Sequence, residues 1–228
     1  MNSALHVPLN LSAEQLSRLR ALQEMFAQAC NTLAVTVQQT RTWNRVALHH
    51  LAYKQIRERF PALGSQMACN AIYSVSRAAR QVYQSPASPF RLQKLGDRPL
   101  PRLQFTARAP VFFDRHTLSL RGGVLSMFTL DGRMKFSLGL APRDEQRFRE
   151  EKLREIVLSR EGERFVLIFA FGAEGEPPPD RRTAPQSEAE WPEYVLVQEV
   201  AAASRPPNAL PAGSPAPALS QPLTPLPR

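Results

Sequence analysis

The sequence predicts an α+β fold: a small antiparallel β-barrel, interrupted after its first strand by a three-helix insertion and followed by a proline-rich tail. Three observations carry this expectation. A lone strand pattern, ALHVPLNLS with Leu5, Val7, Leu9 and Leu11 alternating, precedes three long helical patterns, so its backbone needs partners that only later segments supply. Strand-like runs with one short helix among them then crowd into residues 103–171. Finally, 13 of the 21 prolines lie from Ala173 onward, in runs such as EPPPD and SRPPNALPAGSPAPALSQPLTPLPR that have almost no apolar periodicity. The expected organisation is a first strand in 1–11, a helical segment in 12–85, the remaining barrel strands in 86–172 and a largely disordered tail in 173–228.

Pro8 marks the first strand as an edge or an end. SAEQ, starting at Ser12, is a capping-box pattern. Behind it Leu16, Leu19, Leu22, Phe26, Ala29, Leu33 and Val37 form one apolar stripe that extends the helix to about Thr40. A second helix fits Asn44 to Phe60, with Leu48, Leu51, Ala52 and Ile56 inward and Pro61 ending it. The third, Ser65 to Gln84, buries Ala68, Ile72, Val75, Ala79 and Val82. Its other face carries Gln66, Asn70, Tyr73, Arg77, Arg80 and Gln84, which step by four, three, four, three and four. Amides that read base edges, an aromatic that stacks and arginines that hold phosphate are the side chains of a nucleic-acid-facing helix. An ordinary solvated face is the alternative, but such faces mix signs, and between Glu24 and Asp97 the only carboxylate is Glu58.

The connection SPASPFRLQKLGDRPLPR reads as proline-rich, basic and without a helix. Strands follow at LQFT, APVFFD and HTLSLR, then Gly122-Gly123 as a turn, then a hairpin in VLSMFTLDGRMKFSL. An Asp131-Gly132 turn closed on Leu130 and Arg133 sets Leu125 opposite Leu138, Met127 opposite Phe136 and Thr129 opposite Met134 on a core side. Phe128, Arg133 and Lys135 then share the opposite side with serines, as a contact surface. APRDEQRFREEKL is a short helix with Pro142 in its first turn. Arg154 to Arg160 and Arg164 to Phe171 form a last hairpin, whose return strand is apolar on both faces and therefore central.

Charge points to a polyanionic partner. The net charge is +9, and residues 1–140 hold 18 Lys/Arg against 6 Asp/Glu, whereas residues 141–172 hold seven of each. The two cysteines, Cys30 and Cys69, are too few for a zinc site or a disulfide framework and read as buried small hydrophobes. His49 and His50 are adjacent, not four apart, and neither reads as a metal ligand. Phosphate-binding and nucleophile-elbow motifs are absent, so no catalytic residue and no cofactor is expected. Neither a leader nor a membrane-length apolar run is seen, which makes a cytoplasmic location and no membrane partner the expectation.

LHVPLNLSAEQLSRLRALQEMF, IRERFPALGSQMACNAIYSVSRAARQVYQ, LPRLQFT and FDRHTLSLRGGVLSMFTLDGRMKFSL together resemble the amino-terminal half of TnpB, the transposon-encoded RNA-guided nucleases, over about residues 3–172. The resemblance implies a wedge-type β-barrel interrupted by a helical recognition domain, binding of a structured guide RNA and recognition of a motif in duplex DNA. By position it implies Gln66 and Asn70 as base readers, Tyr73, Arg77 and Arg80 as phosphate or stacking contacts, and Arg133 and Lys135 on RNA backbone. The family's glycine-proline-arginine-phenylalanine-lysine segment is replaced here by RPLPRLQ. The RuvC-like domain that supplies the family's metal-binding carboxylates has no counterpart in GEPPPDRRTAPQSEAEWPEYVLVQEVAAASRPP: no Asp follows Asp180, and the apolar run offers only Glu193 and Glu199. The expectation is therefore a nuclease-less RNA- and DNA-binding protein, with a separate nuclease subunit as a candidate partner. Against it stand a remnant without activity and an adaptor that recruits partners through the proline-rich tail.

Overall fold

Ser12 starts the longest helix. Its hydroxyl accepts from the Gln15 amide at 3.2 Å and Gln15 Oε1 accepts from the Ser12 amide at 2.9 Å, so the capping box is closed. The computed structural model describes residues 3–172 and 191–199. In it α1 runs Ala13–Thr40, α2 runs Arg45–Arg59 behind an Asn44 cap, and α3 runs Ser65–Gln84 after a tight turn at Pro61–Leu63. Arg41 closes α1 in the left-handed conformation, φ 52°, and its guanidinium donates to the carbonyls of Gly96 and Arg98. The predicted stripe of α3 is buried, as is that of α1 from Leu19 onward with Leu16 half-buried; in α2 Leu48, Ala52 and Ile56 are buried but Leu51 is 55% exposed. Leu51 is rotated about 100° from Ala52 and falls outside that narrow stripe.

The connection after α3 holds one helical turn, α4 at Leu92–Leu95, where the sequence predicts none; its anchor is the buried Leu95. The strands are β1 Ser3–Pro8, β2 Arg102–Phe105, β3 Val111–Phe113, β4 Leu118–Arg121, β5 Val124–Thr129, β6 Gly132–Ser137, β7 Leu153–Glu161, β8 Arg164–Phe171 and β9 Val195–Gln198, with α5 at Pro142–Glu150 between β6 and β7. All pairings are antiparallel. The expected partner for the first strand is there: β1 lies along β8 in a four-stranded sheet of order β1-β8-β7-β3. β8 is central, with Phe165, Leu167, Phe169 and Phe171 buried on one side and Val166 on the other. Phe148 of α5 covers that sheet, edge-on to Phe169 and Phe171 at 4.9 and 5.1 Å.

A single closed barrel is not formed among the described residues. The strands make three sheets, the others being β4-β5-β6 and β2-β9. β3 is three residues long and is preceded by Pro110, which has no amide to donate, so the ladder of the large sheet stops before β2 can join it. β9 lies inside the stretch predicted as tail: it pairs with β2, buries Val195 and follows Trp191, whose ring sits 5.5 Å from Phe90. The rest of the predicted tail, 173–190 and 200–228, lies outside the described residues. One buried cluster runs from α1, α2 and α3 through the strands, so the helical segment and the sheets share a core.

The central hairpin keeps its predicted faces but not its register. Leu125 pairs with Phe136, Met127 with Met134 and Thr129 with Gly132, so the loop is Leu130-Asp131 rather than Asp131-Gly132. Asp131 does not adopt positive φ, and Gly132, φ 110°, takes the last place of the turn. The shift is two residues, an even number, which returns every side chain to the face read from sequence. The two-residue turn with positive φ at both positions stands instead between β4 and β5, at Gly122 (54°) and Gly123 (71°).

Candidate nucleic-acid interface

The first half of the polar face of α3 looks inward. Asn70 is buried, and its Nδ2 donates to the Phe112 carbonyl of β3 at 3.0 Å. Tyr73 Oη at 2.9 Å and Arg77 Nη1 at 2.6 Å both donate to Glu155 Oε1 on β7. Phe112 stands between them, edge-on to Tyr73 at 5.5 Å and 5.6 Å from the Arg77 guanidinium, while Arg45 of α2 lies 5.3 Å over the Tyr73 ring. Burial pushes the Tyr73 phenol up, and the neighbouring Glu155 charge adds to this. Burial opposes the Arg77 charge, yet the Glu155 carboxylate outweighs it and holds Arg77 above its ordinary value. Gln66 Nε2 donates to Asp114 Oδ2. These four residues, read from sequence as contacts to nucleic acid, are placed as the tie between α3 and the large sheet. Farther along the helix Arg80 and Gln84 are exposed and make no side-chain bond among the described residues.

Asp114 carries the connection on. Its Oδ1 accepts from the His116 and Thr117 amides at 2.9 and 3.0 Å, an Asx-type turn that leads into β4. The His116 carbonyl accepts from Arg133 Nη1 at 3.2 Å, while Arg133 also donates to Ser126 Oγ and its carbonyl, both at 3.0 Å. Arg133 therefore lies flat along the outer face of the three-stranded sheet. Phe128, expected as an open stacking surface, is half-buried: its Cζ stands 3.1 Å from where a Cβ on Gly64 would lie. Thus Phe128 packs under the start of α3.

What remains open is the rest of that outer face. Cross-strand rows put Ser119, Ser126 and Lys135 side by side, and next to them Arg121, Val124 and Ser137. Arg121, Arg133 and Lys135 are exposed, as is Arg115 on the adjoining turn, and no carboxylate stands on this face of the three strands. Neither Arg121 nor Lys135 has an ion-pair partner among the described residues. Short hydroxyls thus lie among long cations, and guanidinium and ammonium groups are side chains able to pair with phosphate oxygens. The sequence reading missed Ser119 and Arg121, although the alternation in LSLR and the Gly-Gly turn after it hold the signal that puts them beside β5.

The hairpin tip is tied back to the helices, since Arg18 Nη2 meets Asp131 Oδ1 at 2.8 Å and Thr129 Oγ1 at 2.8 Å. The Thr129 hydroxyl and the Arg18 guanidinium hold the Asp131 carboxyl below its usual range. Cys30 is buried as expected, but Cys69 is only half-buried and lines a small apolar dip with Val46 and Ile72. Burial pushes both thiols up. Among the described residues no group of His, Cys, Asp and Glu is arranged to hold a metal ion, and no helix is long and apolar enough to cross a membrane. No protein-family model matches the chain, and no curated protein sequence matches it.

Proposed function

We propose that this chain is a nuclease-less nucleic-acid-binding protein of the TnpB type, which binds structured RNA through the outer face of β4-β5-β6 and contacts a motif in duplex DNA. The carrying observation is that face: Arg121, Arg133 and Lys135 exposed over Ser119, Ser126 and Ser137, with no carboxylate among them. Arg80, on the exposed end of α3, extends the same chemistry. In this reading the three antiparallel sheets stand for an opened wedge-type barrel, α1 to α3 for its recognition insertion, and the protein acts in the cytoplasm. Asn70, Tyr73 and Arg77 serve it indirectly, by fixing α3 on the sheets. In this reading the chain binds nucleic acid without cutting it.

The test is to purify the protein at moderate salt, sequence the RNA that accompanies it, and measure binding of that RNA against salt concentration. A dominant structured RNA is expected, with log affinity falling linearly in log salt as counterions are released. Arg121→Glu with Lys135→Glu should weaken binding roughly tenfold or more and flatten the salt slope by about two contacts' worth. Binding indifferent to salt, or unchanged in the double variant, would sink the reading.

A further inference from the structure

We infer that the groove between α1, the end of α2 and the start of β2 holds an unpaired stretch of nucleic acid, a second site that rests on the nucleic-acid reading above but not on the sheet face. The groove is open to solvent along its length and offers about 660 Å³. Gln28, Thr32, Thr36 and Gln39 of α1 succeed one another by four, four and three residues and so form one wall; Asn31 of the same helix, Gln55 and Arg59 of α2 and Arg102 of β2 supply the rest of the polar lining.

One lining residue, Asn31, has its side-chain hydrogen bonds already made. Asn31 Nδ2 donates to the Phe105 carbonyl at 2.9 Å and its Oδ1 accepts from the Phe105 amide at 2.7 Å, so one side-chain amide docks β2 on α1 and fixes Arg102 in the lining. Gln28, Gln39 and Gln55, by contrast, make no side-chain hydrogen bond among the described residues, and Arg59 and Arg102 have no ion-pair partner there. The Arg59 guanidinium rests 5.8 Å from the Phe60 ring. No carboxylate lines the groove.

This lining suits one class of ligand. Primary amides donate to and accept from base edges, threonine hydroxyls meet ribose, and the two guanidinia hold phosphates. An apolar peptide helix would leave the glutamines unpaired. RNA sequence is read chiefly from unpaired, splayed bases, and a groove of this size admits nucleotides singly where a duplex does not enter.

The experiment uses the full chain with two labelled probes, a short unstructured RNA oligonucleotide and a stable RNA hairpin of the same net charge. Arg59→Glu with Arg102→Glu should weaken the unstructured probe roughly tenfold while leaving the hairpin within about twofold. Thr36→Trp, which fills the groove without touching charge, should act likewise and guards against a loss due to misfolding or to net charge alone. Unchanged affinity for the unstructured probe in both variants overturns the inference while leaving the sheet-face reading intact. Equal losses on both probes in the charge pair, with none in Thr36→Trp, overturn it as well. A wild-type protein that binds neither probe overturns both readings together.

Discussion

Two donors, Tyr73 and Arg77, meet a single oxygen of Glu155 at 2.9 and 2.6 Å. Removing that acceptor leaves a half-buried phenol and a half-buried guanidinium without their partner, so Glu155→Ala should destabilise the protein by about 2 kcal/mol, whereas Glu155→Gln, which still accepts a hydrogen bond, should lose about half of that. Chemical denaturation of the two variants checks the ordering; equal stability of Glu155→Ala and wild type contradicts the placement. Gly64 is the other sensitive residue. With φ 71° and ψ 161° it occupies backbone space reserved for glycine, and a Cβ there would stand 3.1 Å from Phe128 Cζ. Gly64→Ala is therefore expected to cost about 1–3 kcal/mol, and to shift Phe128 on the way.

At the scale of elements, α1 and α2 start at the side-chain caps Ser12 and Asn44, and the hairpin is held at its tip by charge. Ser12→Ala should lower stability by about 1 kcal/mol, read as an earlier denaturation midpoint with an unchanged slope. Asp131 and Glu151 are both held below their ordinary values of 3.8 and 4.5, Asp131 by Thr129 and Arg18, Glu151 by Arg147 and Ser3. A carboxyl with a lowered folded value stabilises the fold above the ordinary value and loses that contribution as pH falls through the lowered one. The melting temperature should thus decline on acidification below about pH 4, and Asp131→Asn should flatten part of that decline. A hairpin variant with the same acid slope as wild type would show that Asp131 takes no part.

Taken as a whole molecule, what the sequence makes legible depends on how far apart the partners lie. The end of α2 and the capping of α1 are local, set by Pro61, Ser12 and Gln15, and they read directly. The faces of the hairpin read correctly even with the register two residues off, because a strand's two-residue period is blind to an even shift. The assignment of α3's polar face does not survive in the same way. Periodicity gives the angular position of Asn70, Tyr73 and Arg77 but not what stands opposite, and the acceptor Glu155 lies 82 residues beyond Tyr73. The groove was illegible for the same reason: its walls come from α1, α2 and β2, and only folding brings Gln28 near Arg102.

β1 gains its backbone partner by pairing Ser3 with Phe171 and Pro8 with Val166. During synthesis the strand made first must wait for one of the last, and at translation rates of ~5–20 residues per second that wait lasts roughly ten to thirty seconds. The helices, whose contacts are nearer in sequence, have time to settle in the interval, while β1 trails from them as an unpaired ribbon able to template another chain. A nascent chain arrested before Arg164 should accordingly be cut by protease within residues 3–11 and retained by a chaperone, and one arrested after the whole of β8 has left the ribosome should not.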